Sequence, residues 1–367
     1  MSEPSIVLIC TGLGHLKRGF EMYIATLGEQ LGNVEIWCGG KYNSVNIKTH
    51  TIPNINRNCL FNKLLLFGNS NLAFRIEQLS FALGLIPRLV KSRPTVLYLG
   101  EYQLYCHLYK IRRLFGLKYS LVLYTGGQAI PGLFDSKKDF VHHVTDVYLP
   151  ACSHLPPDQQ FLIPHFIDTN FYFDQNLSQD IRTVSAGKKI VLSVGLLDCH
   201  IKRMDFLIKA LLPLKENIFP IFLGEPTDDT PIIKKMLIDN FGNDGFIMKK
   251  VEHNELGTWY RSADIFVLSS LREAFGLAMV EALYFGLPVV CNDFAEAHFV
   301  LKEHGMYLDM QNVDALTKAL QLQHDENKSA QLKLERKLFV EKNYSWGALK
   351  NQYLTMFKKF TSLKTDA

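Results

Sequence analysis

Asp264-Ile-Phe-Val-Leu-Ser-Ser-Leu-Arg-Glu-Ala-Phe-Gly-Leu-Ala-Met-Val-Glu-Ala-Leu-Tyr-Phe-Gly-Leu-Pro-Val-Val-Cys-Asn292 decides how the rest of the chain is read. Two short apolar, β-branched runs, Asp264–Ser269 and Pro288–Asn292, flank a segment that must be helical and largely buried, which makes a βαβ unit. Glu281 is the only Asp, Glu, Lys, Arg or His between Ala274 and Asn292. A carboxylate among apolar neighbours costs several kcal/mol unless something satisfies it. A ligand diol could do so, because an ionised carboxylate accepts two hydroxyl hydrogen bonds. Glu273 stands eight residues earlier, in the loop after the first strand, and that loop opens on the ligand-binding edge of a parallel sheet. As an isolated residue it reads as a first-turn helix acid favoured by the dipole. Its pairing with Glu281 favours a ligand contact. Gly276 and Leu277 offer backbone N–H groups at the helix start, a ready phosphate site.

Moving outward, Lys189–Gly195 is a second strand, and the loop Leu196-Leu-Asp-Cys-His-Ile-Lys-Arg203 opens a helix with an apolar face of Met204, Leu207, Ile208, Leu211 and Leu212. Lys202 and Arg203 sit at the wrong helix end for structural cations. They read either as a solvated pair or as a clamp on a diphosphate, and the conflict with the dipole favours the clamp. At the other end of the chain, Ile6–Cys10 runs into Thr11-Gly-Leu-Gly-His-Leu-Lys17. The dinucleotide fingerprint fails there because Lys17 occupies the third glycine position, and no Gly-Lys-Ser/Thr makes a P-loop. His15 faces a ligand site on this reading. His142 and His143 read as surface residues.

Strand patterns continue on both sides: Val34–Cys38, Thr95–Leu99, Tyr119–Tyr124 and Asp146–Leu149 in the first half, then Phe219–Gly224, Gly245–Met248 and Gly305–Asp309. Alternation with helical segments implies α/β architecture with two Rossmann-like, doubly wound domains. At 367 residues the chain also exceeds what one core usually serves. The expected division is 1–165, 166–345, and an amphipathic helix in 346–367 that crosses back to the first domain. The polar stretch Asp174 to Lys188 is the best linker.

Composition narrows the class. Hydrophobic residues are 47% and charged residues 21%, so the chain folds. Seven scattered cysteines with no Cys-x-x-Cys argue for a reducing compartment and against zinc. Met1-Ser-Glu-Pro4 lacks a signal-peptide pattern, and no run has the roughly 18 apolar residues of a span. A cytoplasmic protein is expected. Residues 1–165 hold 16 Lys or Arg against 10 Asp or Glu, and the remainder 24 against 26. The positive excess therefore belongs to the first half, notably Arg57 to Arg93 and Lys110 to Lys118. Such a region reads as solvated helix faces or as a peripheral contact with the inner membrane surface. Nucleic acid is not expected, since no binding motif interleaves aromatics with these cations.

These residues resemble a known family, the retaining GT-B glycosyltransferases of family 4, or glycosyl transferases group 1. Glu273-x7-Glu281 within Glu-Ala-Phe-Gly-Leu-Ala-Met-Val-Glu-Ala is its hallmark, followed by Gly286-Leu-Pro-Val-Val290. Tyr260-Arg-Ser-Ala-Asp-Ile-Phe-Val267 and Ile163-Pro-His-Phe-Ile-Asp168 match flanking signatures. The resemblance implies two domains facing a central cleft, with acceptor binding by the first and donor binding by the second. It implies that Glu281 binds the donor ribose, that Glu273 lies against the transferred sugar, and that Lys202, Arg203, Gly276 and Leu277 hold the diphosphate. Gly14 would approach the phosphates, and the base would stack near Met248 to Val251. His15, Gly126 and Gly127 would serve the acceptor side. No metal and no cofactor are expected; the donor is a nucleoside-diphosphate sugar, UDP preferred to GDP, and the acceptor a saccharide or lipid. The sequence departs from the family at Leu196, where arginine is common, at Thr125-Gly-Gly-Gln128, where histidine is common, and at Phe166, where glycine is usual. Two alternatives follow: a catalytically degenerate binding protein, or a sugar-nucleotide epimerase on the same plan.

Overall fold

The computed structural model describes residues 5–16, 19–57, 59, 70–125, 133–169, 178–322 and 329–362. The chain divides into two compact units, Met1–Pro164 with Lys350–Ala367, and His165–Leu349.

The first unit is built on β1 (Ile6–Cys10), α1 (Gly19–Leu31), β2 (Glu35–Cys38), β3 (Lys48–Thr51), α2 (Ser70–Ser92), β4 (Val96–Leu99), α3 (Tyr102–Leu114), β5 (Ser120–Thr125), β6 (Phe140–His143) and β7 (Gln160–Leu162). Its strands form one parallel sheet in the order β3-β2-β1-β4-β5-β6-β7. Interior strands of a parallel sheet are covered on both faces, and β1, β4 and β5 are accordingly buried almost throughout, with apolar runs Ile6-Val-Leu-Ile9, Val96–Leu99 and Leu121-Val-Leu123. The same rule corrects the reading of His142 and His143, which lie in β6 with no exposure. His142 Nδ1 meets the Tyr98 hydroxyl at 2.7 Å and Nε2 meets the Ile163 carbonyl at 2.8 Å. Burial pushes its pKa down to about 3. Asp146–Leu149 is not a strand: Asp146–Tyr148 is a 3-10 turn, and Pro150, which has no N–H for a ladder, opens the next turn.

The second unit carries α4 (Ser178–Val184), β8 (Lys189–Val194), α5 (Met204–Leu211), β9 (Ile218–Leu223), α6 (Thr230–Phe241), β10 (Ile247–Lys249), α7 (Leu256–Ser262), β11 (Ile265–Leu268), α8 (Leu277–Tyr284), β12 (Val289–Asn292), α9 (Ala295–Leu301), β13 (Gly305–Leu308), α10 (Val313–Leu322) and α11 (Ala330–Tyr344). Strand order is β10-β9-β8-β11-β12-β13, again all parallel. The stretch read as linker contains α4, which Arg182 pins by donating to both Asp264 oxygens at 2.8 and 3.1 Å. α12 (Trp346–Ser362) starts in the second unit, and its later part supplies Tyr353, Phe357 and Phe360 to the first. There Phe360 packs on Phe140, and Tyr353 donates to the Pro164 carbonyl at 2.8 Å.

Both sheets reverse their winding beside the first strand, between β1 and β4 and between β8 and β11. Loops leaving the carboxyl ends of those strands border a crevice where ligands of doubly wound sheets bind.

Candidate functional site

In the second unit those two loops meet. Asp198, 5% exposed, organises the loop after β8: its Oδ1 accepts the N–H groups of His200, Ile201 and Lys202 at 2.9, 2.5 and 2.9 Å. The Ser269 hydroxyl, just past β11, donates to the Lys202 carbonyl at 2.6 Å and lies 3.1 Å from that of Arg203. With both backbones fixed, the Lys202 ammonium reaches the Glu273 carboxylate and forms an ion pair that is mostly withdrawn from solvent. Lys202 and Glu273 are 71 residues apart, and only the β8–β11 pairing brings them together. Arg203, at the cap of α5 in the left-handed region, turns instead to the Met310 carbonyl at 2.6 Å and stacks on Phe206. The cationic conflict at this helix start is thus met within the chain.

Gly276 caps α8 with φ +77°, in the left-handed region that favours glycine, and a Cβ there would also have to displace the flexible end of Met279. The preceding Phe275 is buried against the His165 ring, 5.0 Å away, which seats the loop. Leu277 opens α8, and Glu281 follows one turn on, along the same face. Glu281 is buried, but it does not wait for a ligand. The Tyr260 hydroxyl donates to its Oε2 at 2.7 Å, and His253 Nε2 lies 2.9 Å from its Oε1. This corrects the expectation that a bound molecule alone satisfies the carboxylate: α7 and the turn before it carry two donors to α8. Burial pulls the His253 pKa down, the Glu281 charge and hydrogen bond outweigh it, and the net shift is upward. Val251, half-buried, follows β10 on the same edge of the sheet.

Residues 174–337 match the family model for glycosyl transferases group 1. The second unit is a glycosyl transferases group 1 domain, and the fold is GT-B. Among solved structures, the chain resembles sucrose-phosphate synthase from Thermosynechococcus elongatus with a TM-score of 0.79 at 16% identity, over 97% of this chain and 99% of that one. It resembles Anabaena Alr3699/HepE in complex with UDP and glucose with a TM-score of 0.75 at 14% identity, over 97% and 100%. Curated relatives include the O-antigen chain mannosyltransferase B of Escherichia coli, 26% identical over 151 residues, or 40% of each chain. The lipopolysaccharide core biosynthesis mannosyltransferase LpsB of Rhizobium meliloti (strain 1021) is 30% identical over 141 residues, 36% of this chain and 40% of that one. The chain spans about 40% of the length of the curated relatives it matches.

The group 1 domain is preceded by a unit whose own switch point is lined with buried polar groups. Thr11 follows β1 and Glu101 follows β4; the Thr11 N–H donates to Glu101 Oε1 at 3.2 Å, its hydroxyl bonds the same oxygen, and burial pushes Glu101 up to about 7. His15 does come to this edge, where its Nε2 lies 3.1 Å from Oε1 of the fully buried Glu77. Arg57 Nε donates to the other Glu77 oxygen at 2.6 Å. Burial alone would raise Glu77, but His15 and Arg57 hold it below the usual carboxylate range. Gly14 has φ +93°, and a Cβ on it would meet the Gly40 backbone at 2.5 Å, so its form is required by the neighbouring loop whether or not a ligand is present. Gly126 and Gly127 lie outside the described residues. Sequence reading assigned no role to Asp198, Tyr260, His253, Glu77 and Glu101. Of these Tyr260 carried a signal as the start of the signature ending at Val267, and Glu77 as the lone acid between Arg57 and Arg93.

Proposed function

We propose that the chain transfers a hexose-type sugar, with retention of anomeric configuration, from a nucleoside-diphosphate sugar to a saccharide or lipid acceptor. The observation that carries this reading is the Lys202–Glu273 pair, held at the switch point beside the Gly276–Leu277 helix start. A cation and exposed helix N–H groups set on one edge suit a diphosphate, whose negative charge grows as the glycosyl bond breaks. Glu273, freed from Lys202 as the ammonium turns to phosphate, faces the sugar and stabilises positive charge at its anomeric carbon. Glu281, held by Tyr260 and His253, accepts the ribose hydroxyls through its remaining lone pairs. The mannosyl transfer named for two relatives, and the UDP and glucose bound by a structural neighbour, support a hexose donor of this class. Stabilisation of the leaving group falls to Lys202 and the α8 start, joined by Arg203 once it exchanges the Met310 carbonyl for phosphate, with UDP favoured over GDP as the nucleotide and no divalent metal required.

Turnover of a panel of UDP- and GDP-sugars, with product configuration read by NMR, tests the reading. Lys202→Ala and Glu273→Gln are each expected to lower kcat by about 100-fold or more, the scale of losing one preorganised charge contact. Glu281→Ala is expected to act chiefly on donor KM. Unchanged turnover in Lys202→Ala would end this assignment of roles.

A further inference from the structure

The first unit carries a surface that its own packing leaves unused. Phe81, Ala82, Leu85 and Leu89 of α2 enter the same core as Leu104, Tyr105 and Leu108 of α3, so the two helices lie on one face of the sheet. With those faces buried, the outward sides should be polar. Instead Leu79, Leu83 and Val90 on α2 are 46%, 54% and 46% exposed, and Leu114 and Phe115 at the end of α3 are 79% and 48% exposed. Leu79, Leu83 and Val90 follow i, i+4, i+11 spacing, one stripe about 16 Å long at the usual helical rise.

Sheet pairing gathers the two helix ends. β4 and β5 run in parallel with Val96 opposite Ser120, and the Ser120 N–H donates to the Thr95 carbonyl at 2.9 Å. Because α2 leads into β4 and α3 into β5, Val90 to Arg93 and Arg113 to Lys118 arrive at the same edge. Arg75, Lys91, Arg93, Lys110, Arg113 and Lys118 are all exposed, and none is ion-paired among the described residues. From 70 to 118 the only acids are Glu77 and Glu101, both buried. The helix dipole accounts for cations in a last turn, such as Lys91 and Arg113, but not for Arg75, Lys110 or the exposed leucines.

We propose that this face docks on an anionic phospholipid surface, with Leu79, Leu83, Val90, Leu114 and Phe115 entering the headgroup region and the cations lying over phosphate. A second copy is a poor partner, because it would set six positive charges against six. A nucleic acid would use the cations and leave the leucines in water. This surface is independent of the donor site.

Co-sedimentation of the full chain with vesicles of phosphatidylcholine, alone or mixed with phosphatidylglycerol, tests it at low and high salt. Pelleting is expected with the anionic vesicles, at least about tenfold above the zwitterionic ones at low salt and falling as salt screens the charges. Lys110→Glu/Arg113→Glu and, separately, Leu83→Glu/Leu114→Glu are expected to cut binding about tenfold or more at unchanged unfolding midpoint, as suits exposed positions. No pelleting at low salt would overturn the proposal. So would full binding by either variant, a dimeric mass in solution that Leu83→Glu/Leu114→Glu abolishes, or retention of duplex RNA without vesicle binding.

Discussion

Deleting one hydroxyl tests how the group 1 domain keeps a charge inside it. Tyr260→Phe removes the 2.7 Å donor to Glu281 Oε2 and leaves the ring, stacked on Phe285 at 5.5 Å, in place. Tyr260 is fully buried and Glu281 nearly so, so water does not readily replace the lost bond. A hydrogen bond to a charged, buried group is worth about 1.5 to 3 kcal/mol. For a unit of this size that lowers the unfolding midpoint by about 3 to 12 °C. The diagnostic comparison is the same deletion in a Glu281→Gln background, where the acceptor is neutral and the loss should shrink to about 1 kcal/mol. Urea and thermal unfolding of the four proteins, followed by circular dichroism, gives the cycle. Equal costs in the two backgrounds would show that the hydroxyl does not support the Glu281 charge. The explanation of why an acid sits in an apolar helix would then fail.

Three further outcomes are expected. The raised pKa of His253 means that its pair with Glu281 stabilises the fold fully below the ordinary histidine value of about 6.5 and loses that contribution as pH rises through the folded value; His253→Gln should flatten this part of a urea-midpoint profile. In the first unit Arg112, 3% exposed, donates to both oxygens of the fully buried Asp139, at 2.5 and 2.8 Å; Asp139→Ala leaves the guanidinium with the Tyr119 carbonyl at 3.1 Å and the more distant Asp135 carboxylate at 3.8 Å, and should cost about 3 to 5 kcal/mol by urea unfolding. Gly14→Ala forces a left-handed residue against the Gly40 backbone and should cost at least about 1 to 3 kcal/mol, with expression and thermal midpoint as readouts.

The two βα units that meet at the β8–β11 switch point were legible because their signals are local. β8 carries the apolar run Ile190-Val-Leu192, β11 is the unbroken apolar run Ile265-Phe-Val-Leu268, Gly276 marks the start of α8, and the Glu273-x7-Glu281 spacing lies within 9 residues. β3 was not legible, because Lys48-Thr-His-Thr51 carries no apolar alternation, and an edge strand gains its form from the Glu35 to Cys38 ladder beside it. β6 and β7 were hidden similarly: Phe-Val-His-His143 and Gln-Phe-Leu162 are too short to announce themselves.

By itself the amino-acid order settled the alternating α/β character, the repeat of strand, loop and helix in both halves, and which carboxylates and cations lie at helix starts. Those follow from interactions between neighbours along the chain. Tertiary structure alone decided that Lys202 meets Glu273, that Tyr260 and His253 hold Glu281, that His15 bonds Glu77, and that the two histidines of β6 are interior. Each such contact depends on which strands pair and which helices share a face, a choice made by the burial of whole surfaces and carried by no single segment.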